Sequence, residues 1–401
     1  MHETVLPTLT ADLRALPRAF WVLFTGTFVN RFGTFVLPFL TLFLTRAGYS
    51  LGDVALAVSS HGAGSLVASV FGGYFADRIG RRNTIIIGTF ANAAFVFALY
   101  FAHTLPAIVA LAACAGFTGG FYHPASSALV ADLIPPERRV RAYAALRLAG
   151  NAGFAGASAA GGCLVAVSFF WLFAGDAITT ACYGVLAWAA LPHGFRGSSQ
   201  ESRWSDALAH IRRERRFWVL FTGTFCTALV FSQFGTSYSL QIIGSGTALT
   251  LGAHRFTPEQ TFGMLIGWNG LLIVCGELQL TRLTQRFHPQ RSMAIGYVLL
   301  GGGFALNAFA QSFGAYFVGM TIFTLGEMLS LPVTSAAIAR IAPENMRGRY
   351  IGALGMAWSG AAVIGPQIGL RLYGLHPTML WLGCGVLGLI AAAVLLRFGD
   401  R

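Results

Sequence analysis

The chain has 401 residues, 55% of them hydrophobic and only 10% charged, with a net charge of +12 carried by arginine, since no lysine occurs. A soluble domain carries about a quarter charged residues, so the composition excludes a water-covered globule and points to lipid as the solvent. The basic excess sits in short loops rather than in a basic domain, which excludes a nucleic-acid surface, and six cysteines without a C-x-x-C pair support neither a metal site nor a disulfide framework.

The first apolar run, about 19–45, is too long for the h-region of a signal peptide and lacks a small-residue cleavage site, so it reads as a membrane span. Eleven more candidates follow at roughly 52–76, 83–102, 106–132, 141–166, 168–191, 217–243, 259–281, 292–311, 314–340, 349–371 and 377–397. Each approaches the ~20 residues that cross a bilayer. Arginines cluster before span 1 and in every second loop: Arg78, Arg81 and Arg82; Arg138, Arg139 and Arg141; Arg212, Arg213, Arg215 and Arg216; Arg282, Arg286 and Arg291; Arg347 and Arg349. The alternate loops hold little beyond Arg46, Arg255 and Arg371. By the positive-inside rule both termini lie in the cytoplasm.

The nonapeptide FWVLFTGTF occurs at Phe20–Phe28 and again at Phe217–Phe225, each time behind an arginine-rich flank. FADRIGRR, Phe75–Arg82, is echoed by LTRLTQR, Leu280–Arg286, and DLIPPERRVR, Asp132–Arg141, by RIAPENMRGR, Arg340–Arg349. These echoes predict a parallel repeat of two six-helix halves. The halves run 1–191 and 217–401. A linker at 192–216 forms either an amphipathic helix at the membrane surface or a solvated segment carrying topology charges.

Glu327 lies about 20 Å along its span, counting ~1.5 Å per residue from Gly314. A charged carboxylate there is expensive, so it is protonated, paired or lined by water, which suits either proton binding and release or a neutral structural carboxyl. Arg31 sits about as deep in span 1; it forms a switchable pair with Glu327, caps backbone carbonyls, or pairs with Asp53 or another carboxylate. His61 and His123 titrate near neutral pH or serve as hydrogen-bonded packing. Asp176 is placed nearer the outside as a candidate proton relay, Glu277 near the inner end of span 8 as a candidate latch. Gln233, Tyr238, Trp268 and Asn269 are candidate cavity contacts. Thirty-four phenylalanines and polar-poor midspans favour a lipophilic cargo over a sugar.

GGYFADRIGRR, Gly72–Arg82, resembles the signature between the second and third helices of the major facilitator superfamily. That resemblance, across twelve spans, two halves and a central linker, implies an all-α membrane protein of the major facilitator fold. It implies that Gly73, Asp77, Arg78, Gly80, Arg81, Arg82 and Asp132 latch the halves, with Asp77 facing the start of span 11 and Arg81 facing Asp132. Within the superfamily NRFGTFVLPFLTLFLTRAGYSLG and TLGEMLSLPVTSAAIARIAPENMRGRYIG look most like the drug:proton antiporter group. Two positions depart from it. Ala112 stands where that group has an arginine ahead of the glycine of span 4, and Gly150–Gly162 lacks its Gly-Pro pair. The resemblance implies a monomeric inner-membrane exporter of lipophilic, often cationic compounds, with the proton as coupling ion and no other cofactor or metal. The alternative is a proton-linked or facilitative carrier of one metabolite or lipid. No HExxH, GxxxxGK[ST] or serine–histidine constellation supports an enzyme.

Overall fold

A computed structural model describes residues 16–192, 204–252, 254–284, 287–343 and 346–398. The first half holds α1 in two segments, Arg18–Phe32 and Val36–Arg46, then α2 Leu51–Ile79, α3 Arg81–Tyr100, α4 Leu105–Leu133, α5 Pro136–Val167 and α6 Phe169–Ala190. A linker helix, Trp204–Arg213, precedes the second half. There α7 is again in two segments, Arg215–Ser232 and Ser237–Gly244, followed by α8 Pro258–Thr284, α9 Pro289–Ala305, α10 Phe313–Ile341, α11 Arg347–Leu375 and α12 Pro377–Phe398. A two-residue hairpin, Thr250–Leu251 with His254–Arg255, is the only strand pairing among the described residues.

Nine of these spans are long and apolar enough to cross a membrane on length and composition alone, among the described residues. The other three expected spans are α2, α8 and α9. The regular part of α9 is only 17 residues. α2 carries Asp53, Ser59, Ser60, His61 and Ser65 along its length. Its start is fixed by a capping box in which the Ser50 hydroxyl accepts from the Asp53 amide and the Asp53 carboxylate accepts from that of Ser50. Asp53, one of the carboxylates considered for Arg31, is thus engaged at the start of α2. The α2–α3 corner turns at Gly80, whose φ of +91° is open to glycine and strained for other residues.

Both repeated nonapeptides do the same work. Phe20 and Phe217 are buried, Trp21 and Trp218 are exposed on the outer wall, and Leu23 and Leu220 are buried again. Gly26 seats the ring of Tyr183, and Gly223 seats the ring of Tyr297. Tyr183 then hydrogen-bonds Ser126 and Tyr297 hydrogen-bonds Thr334, at 3.1 and 3.2 Å. One sequence thus packs one tyrosine in each half.

Both first helices of the halves break at the triplet Phe-Gly-Thr, 32–34 in α1 and 234–236 in α7. The expected uninterrupted spans are therefore each two segments. At the first break the Val36 amide, freed by the interruption, donates to the Asp176 carboxylate at 3.0 Å. At the second the Gln233 carbonyl accepts from the Tyr238 amide at 3.0 Å, and the Gln233 side chain accepts from the Ser237 hydroxyl.

The halves meet at one end and part at the other. Toward the end away from the linker, residues of both halves share one apolar core: Phe39 stands perpendicular to Phe262, with Phe234, Tyr238 and Phe304 stacked behind. Arg46 pairs with Glu259 across this seam. The Ser59 hydroxyl of α2 donates to the Val363 carbonyl of α11 at 2.7 Å, and Gly263 of α8 packs on the backbone of Ser158 in α5. Toward the linker end each half has its own cluster, Leu16–Leu191 in the first and Ile211–Leu395 in the second, with no apolar cluster joining them among the described residues. The linker helix rests on the second half. Ile211 is buried there and His210 Nδ1 lies 2.5 Å from the Tyr350 hydroxyl of α11.

Candidate functional site: a polar cavity between the halves

Between the halves lies a cavity of about 460 Å³ lined from α1, α4, α5, α7, α8 and α10. Arg31, Arg147, Asn151, Asn269 and Glu327 supply its polar chemistry, while Phe154, Phe231 and Ile273 supply apolar wall. Glu327 comes from the middle of α10. Its Oε2 accepts from the Asn269 side chain of α8 at 2.9 Å, and Asn269 also donates to Thr324, one turn before Glu327 on α10. Asn269 is buried, so both its donors are spent on holding the carboxylate's helix and one carboxylate oxygen in register. Glu327 and Arg147 also line a second cavity of about 330 Å³ on the side of Thr334 and Trp358. The carboxylate therefore stands in the partition between two polar spaces.

Arg147 of α5 pairs with Glu277 of α8 at 2.6 Å, an ion pair that crosses the halves. The sequence places both residues on spans and gives no local sign that they meet. The small residues of α5 bring the two helices together: Gly270 packs on Ala155, and Gly263 and Gly267 on the backbone of Ser158 and Ala155. Arg31 reaches the same cavity from the last turn of the first α1 segment.

A third cavity of about 300 Å³ lies within the first half and shares Arg31 and Tyr122 with the central one. It is lined by Asn30, His61, Asn92, Asp176 and Thr180, among others. Asp176 is buried there as the acceptor for Val36, with Thr180 bridging it to Asn30. Its carboxylate thus has a structural partner besides any role in proton movement. His61 lines this inner cavity rather than the central one.

Of the other candidates, Asn269 lines the central cavity. Tyr238 is packed in the closed seam and Gln233 is buried against α11 of its own half instead, and the Trp268 indole donates to Thr321 at 3.0 Å beside Phe317. Arg81 pairs with Asp132, and it donates to the Ala128 carbonyl at 2.7 Å. These contacts join α3 to α4 inside the first half. Arg82 donates to the carbonyls of Ala187 and Trp188 at the end of α6, and Arg78 lies with it around a surface hollow beside Trp188. Gly73, Asp77 and His123 lie on α2 and α4, with their side chains outside the described residues.

The profile of the Major Facilitator Superfamily matches residues 23–253 and 229–401. The chain belongs to the major facilitator superfamily. Among curated relatives, an uncharacterized MFS-type transporter of Bacillus subtilis, YttB, is 28% identical over 396 residues and 96% of each chain. The multidrug resistance protein MdtH of Yersinia pestis is 27% identical, covering 96% of this chain and 95% of its own. A Na(+), Li(+), K(+)/H(+) antiporter of Planococcus maritimus is 27% identical, covering 84% and 85%. Among solved structures, a POT family transporter in complex with 5-aminolevulinic acid superposes with a TM-score of 0.79 over 95% of both chains at 17% identity, a likeness of fold. The two-halved helical architecture and a multi-pass membrane setting are thus those of a transporter family.

Proposed function

We propose that this protein is a secondary active transporter that exports lipophilic or amphipathic, often cationic compounds by proton antiport. Glu327 binds a proton when the cavity is empty and yields it when cargo enters, and the two halves, 1–191 and 217–401, rock about the cavity to expose it to either side. One observation carries the reading: a carboxylate at mid-helix, in the wall of the cavity between the halves, held by a neutral amide rather than by a permanent counter-ion. A group placed so is free to change its charge without breaking an ion pair. Two relatives named as a multidrug resistance protein and as a cation/proton antiporter support the same class. The arginine pattern supports cytoplasmic termini and a cytoplasmic 192–216 linker in a chain that works as a monomer in a bacterial inner membrane. The parted end of the bundle then faces the cytoplasm, a state ready to load cargo for export.

A second reading is a proton-linked or facilitative carrier of one metabolite or lipid. Ala112 in place of an arginine, and Gly150–Gly162 without proline, favour it. Proteoliposomes with an acidic interior separate the two. Export predicts that lipophilic cations collapse the proton gradient with the wild type and fail to do so with Glu327→Gln. Cargo equilibrating while the gradient persists would contradict antiport and support the carrier.

A further inference from the structure

We propose that Arg31 is the anchor for an acidic group on the cargo, so that the transported compound is a zwitterionic amphiphile with its cationic end at Glu327 and its anionic end at Arg31. The proposal rests on the export reading above and narrows its substrate class.

Arg31 carries five N–H donors in a fixed fork. They donate to no group among the described residues, although Arg31 lines both the central cavity and the one beside it. The negative end of the first α1 segment lies beside it and favours the charge, without satisfying the donors. Room for its stem is built into α5: a Cβ at Gly153 would stand 2.9 Å from the Arg31 Cβ, and one at Gly150 would touch its Cγ at 3.8 Å. The space around this side chain is therefore a feature of two helices.

The internal repeat sharpens the point. Aligning the two Phe-Gly-Thr breaks sets Arg31 opposite Gln233. Gln233 is buried, and its amide is fully used: Nε2 donates to Leu229, Ser232 and Gly365, and Oε1 accepts from Ser237. In the second half this position closes the packing of its own helices. In the first half a cation stands there with its donors aimed at the cavity.

The cavity's other cation, Arg147, is held by Glu277. The charges left to meet a cargo are thus Arg31 from one half and Glu327 from the other. A simple lipophilic cation answers Glu327 and is repelled by Arg31. A zwitterion answers both, and its apolar body lies against Phe154, Phe231 and Ile273. Entry of its cationic end still displaces the proton from Glu327, so proton exchange is preserved.

The test is equilibrium binding of two tritiated probes to the purified full-length protein: N-octyl-N,N-dimethylglycine and octyltrimethylammonium. They share the tail and the quaternary nitrogen and differ by one carboxylate. The wild type is expected to bind the betaine about tenfold more tightly, the size of one charge-assisted contact. Arg31→Gln is expected to weaken the betaine about tenfold and to tighten the cation, abolishing the preference; the bound cation shows that this variant is folded. Arg31→Lys is expected to retain most of the preference. A preference that survives Arg31→Gln, a wild type that binds the cation as tightly as the betaine, or one that does not bind the betaine at all would each overturn the proposal. The Glu327→Gln variant separates the two readings. Betaine bound through Arg31 with no effect of Glu327→Gln overturns proton exchange and leaves the acid anchor standing. Cation binding lost in Glu327→Gln, with no role for Arg31, does the reverse.

Discussion

Removing the Arg147 side chain leaves Glu277 in a slot that water reaches only in part, where its side chain is 17% exposed. An unpaired carboxylate there costs at least about 1–3 kcal/mol, the range for a buried polar group left without its partner. Arg147→Ala is therefore expected to lower the melting temperature in detergent by several degrees. The exchanged pair Arg147→Glu with Glu277→Arg is expected to recover more than half of the loss; a double variant no better than the single one would argue against the pair. The sequence makes Glu327 visible by depth alone, because a carboxylate at the middle of a span needs a reason. It does not reveal Asn269 as the holder of that carboxylate, nor Arg147 and Glu277 as partners. Those contacts depend on how the halves face one another, and no local pattern records that. Gln233 and Tyr238 illustrate the same limit: polar tips on a span carry no sign of whether they meet the cavity, the closed seam or a helix of their own half.

At the scale of elements, the repeated nonapeptide has a packing role that can be measured. A Cβ at Gly26 would lie 2.0 Å from the Tyr183 ring, and one at Gly223 would lie 2.9 Å from the Tyr297 ring. Gly26→Ala is expected to destabilise the protein by about 1–3 kcal/mol through overpacking, and Gly223→Ala by less. Thermal unfolding of both variants checks the order; equal melting temperatures for Gly26→Ala and the wild type would show that Tyr183 moves without cost. Helix positions were legible because apolar length is a property of local sequence. The breaks in α1 and α7 were not, since a hydropathy window averages over Gly33–Thr34 and Gly235–Thr236. Both triplets are nonetheless present in the chain as a further internal repeat: the first marks where α1 hands the Val36 amide to Asp176, and the second where α7 hands the Tyr238 amide to the Gln233 carbonyl.

At the scale of the whole molecule, the arginine alternation and the repeat between halves fix the architecture, and the family match agrees with it. Which end is open is not written in composition, because both states of a rocking transporter use the same residues. Spin labels at Gly48 and Gly246 report the closed end, and labels at Asn83 and His288 the parted end, in a background without the six native cysteines. Alternating access predicts that a change of state lengthens the first distance as it shortens the second. Two distances that rise or fall together would contradict rocking about a central cavity.

The central claim is that Glu327 gives up a proton when cargo enters the cavity. It is tested most directly by adding octyltrimethylammonium or its betaine to purified protein in weakly buffered detergent solution and recording the change in pH. The wild type is predicted to release up to one proton per bound molecule, and Glu327→Gln to release none. Equal proton release from both proteins, or binding to the wild type without any release, would contradict the assignment.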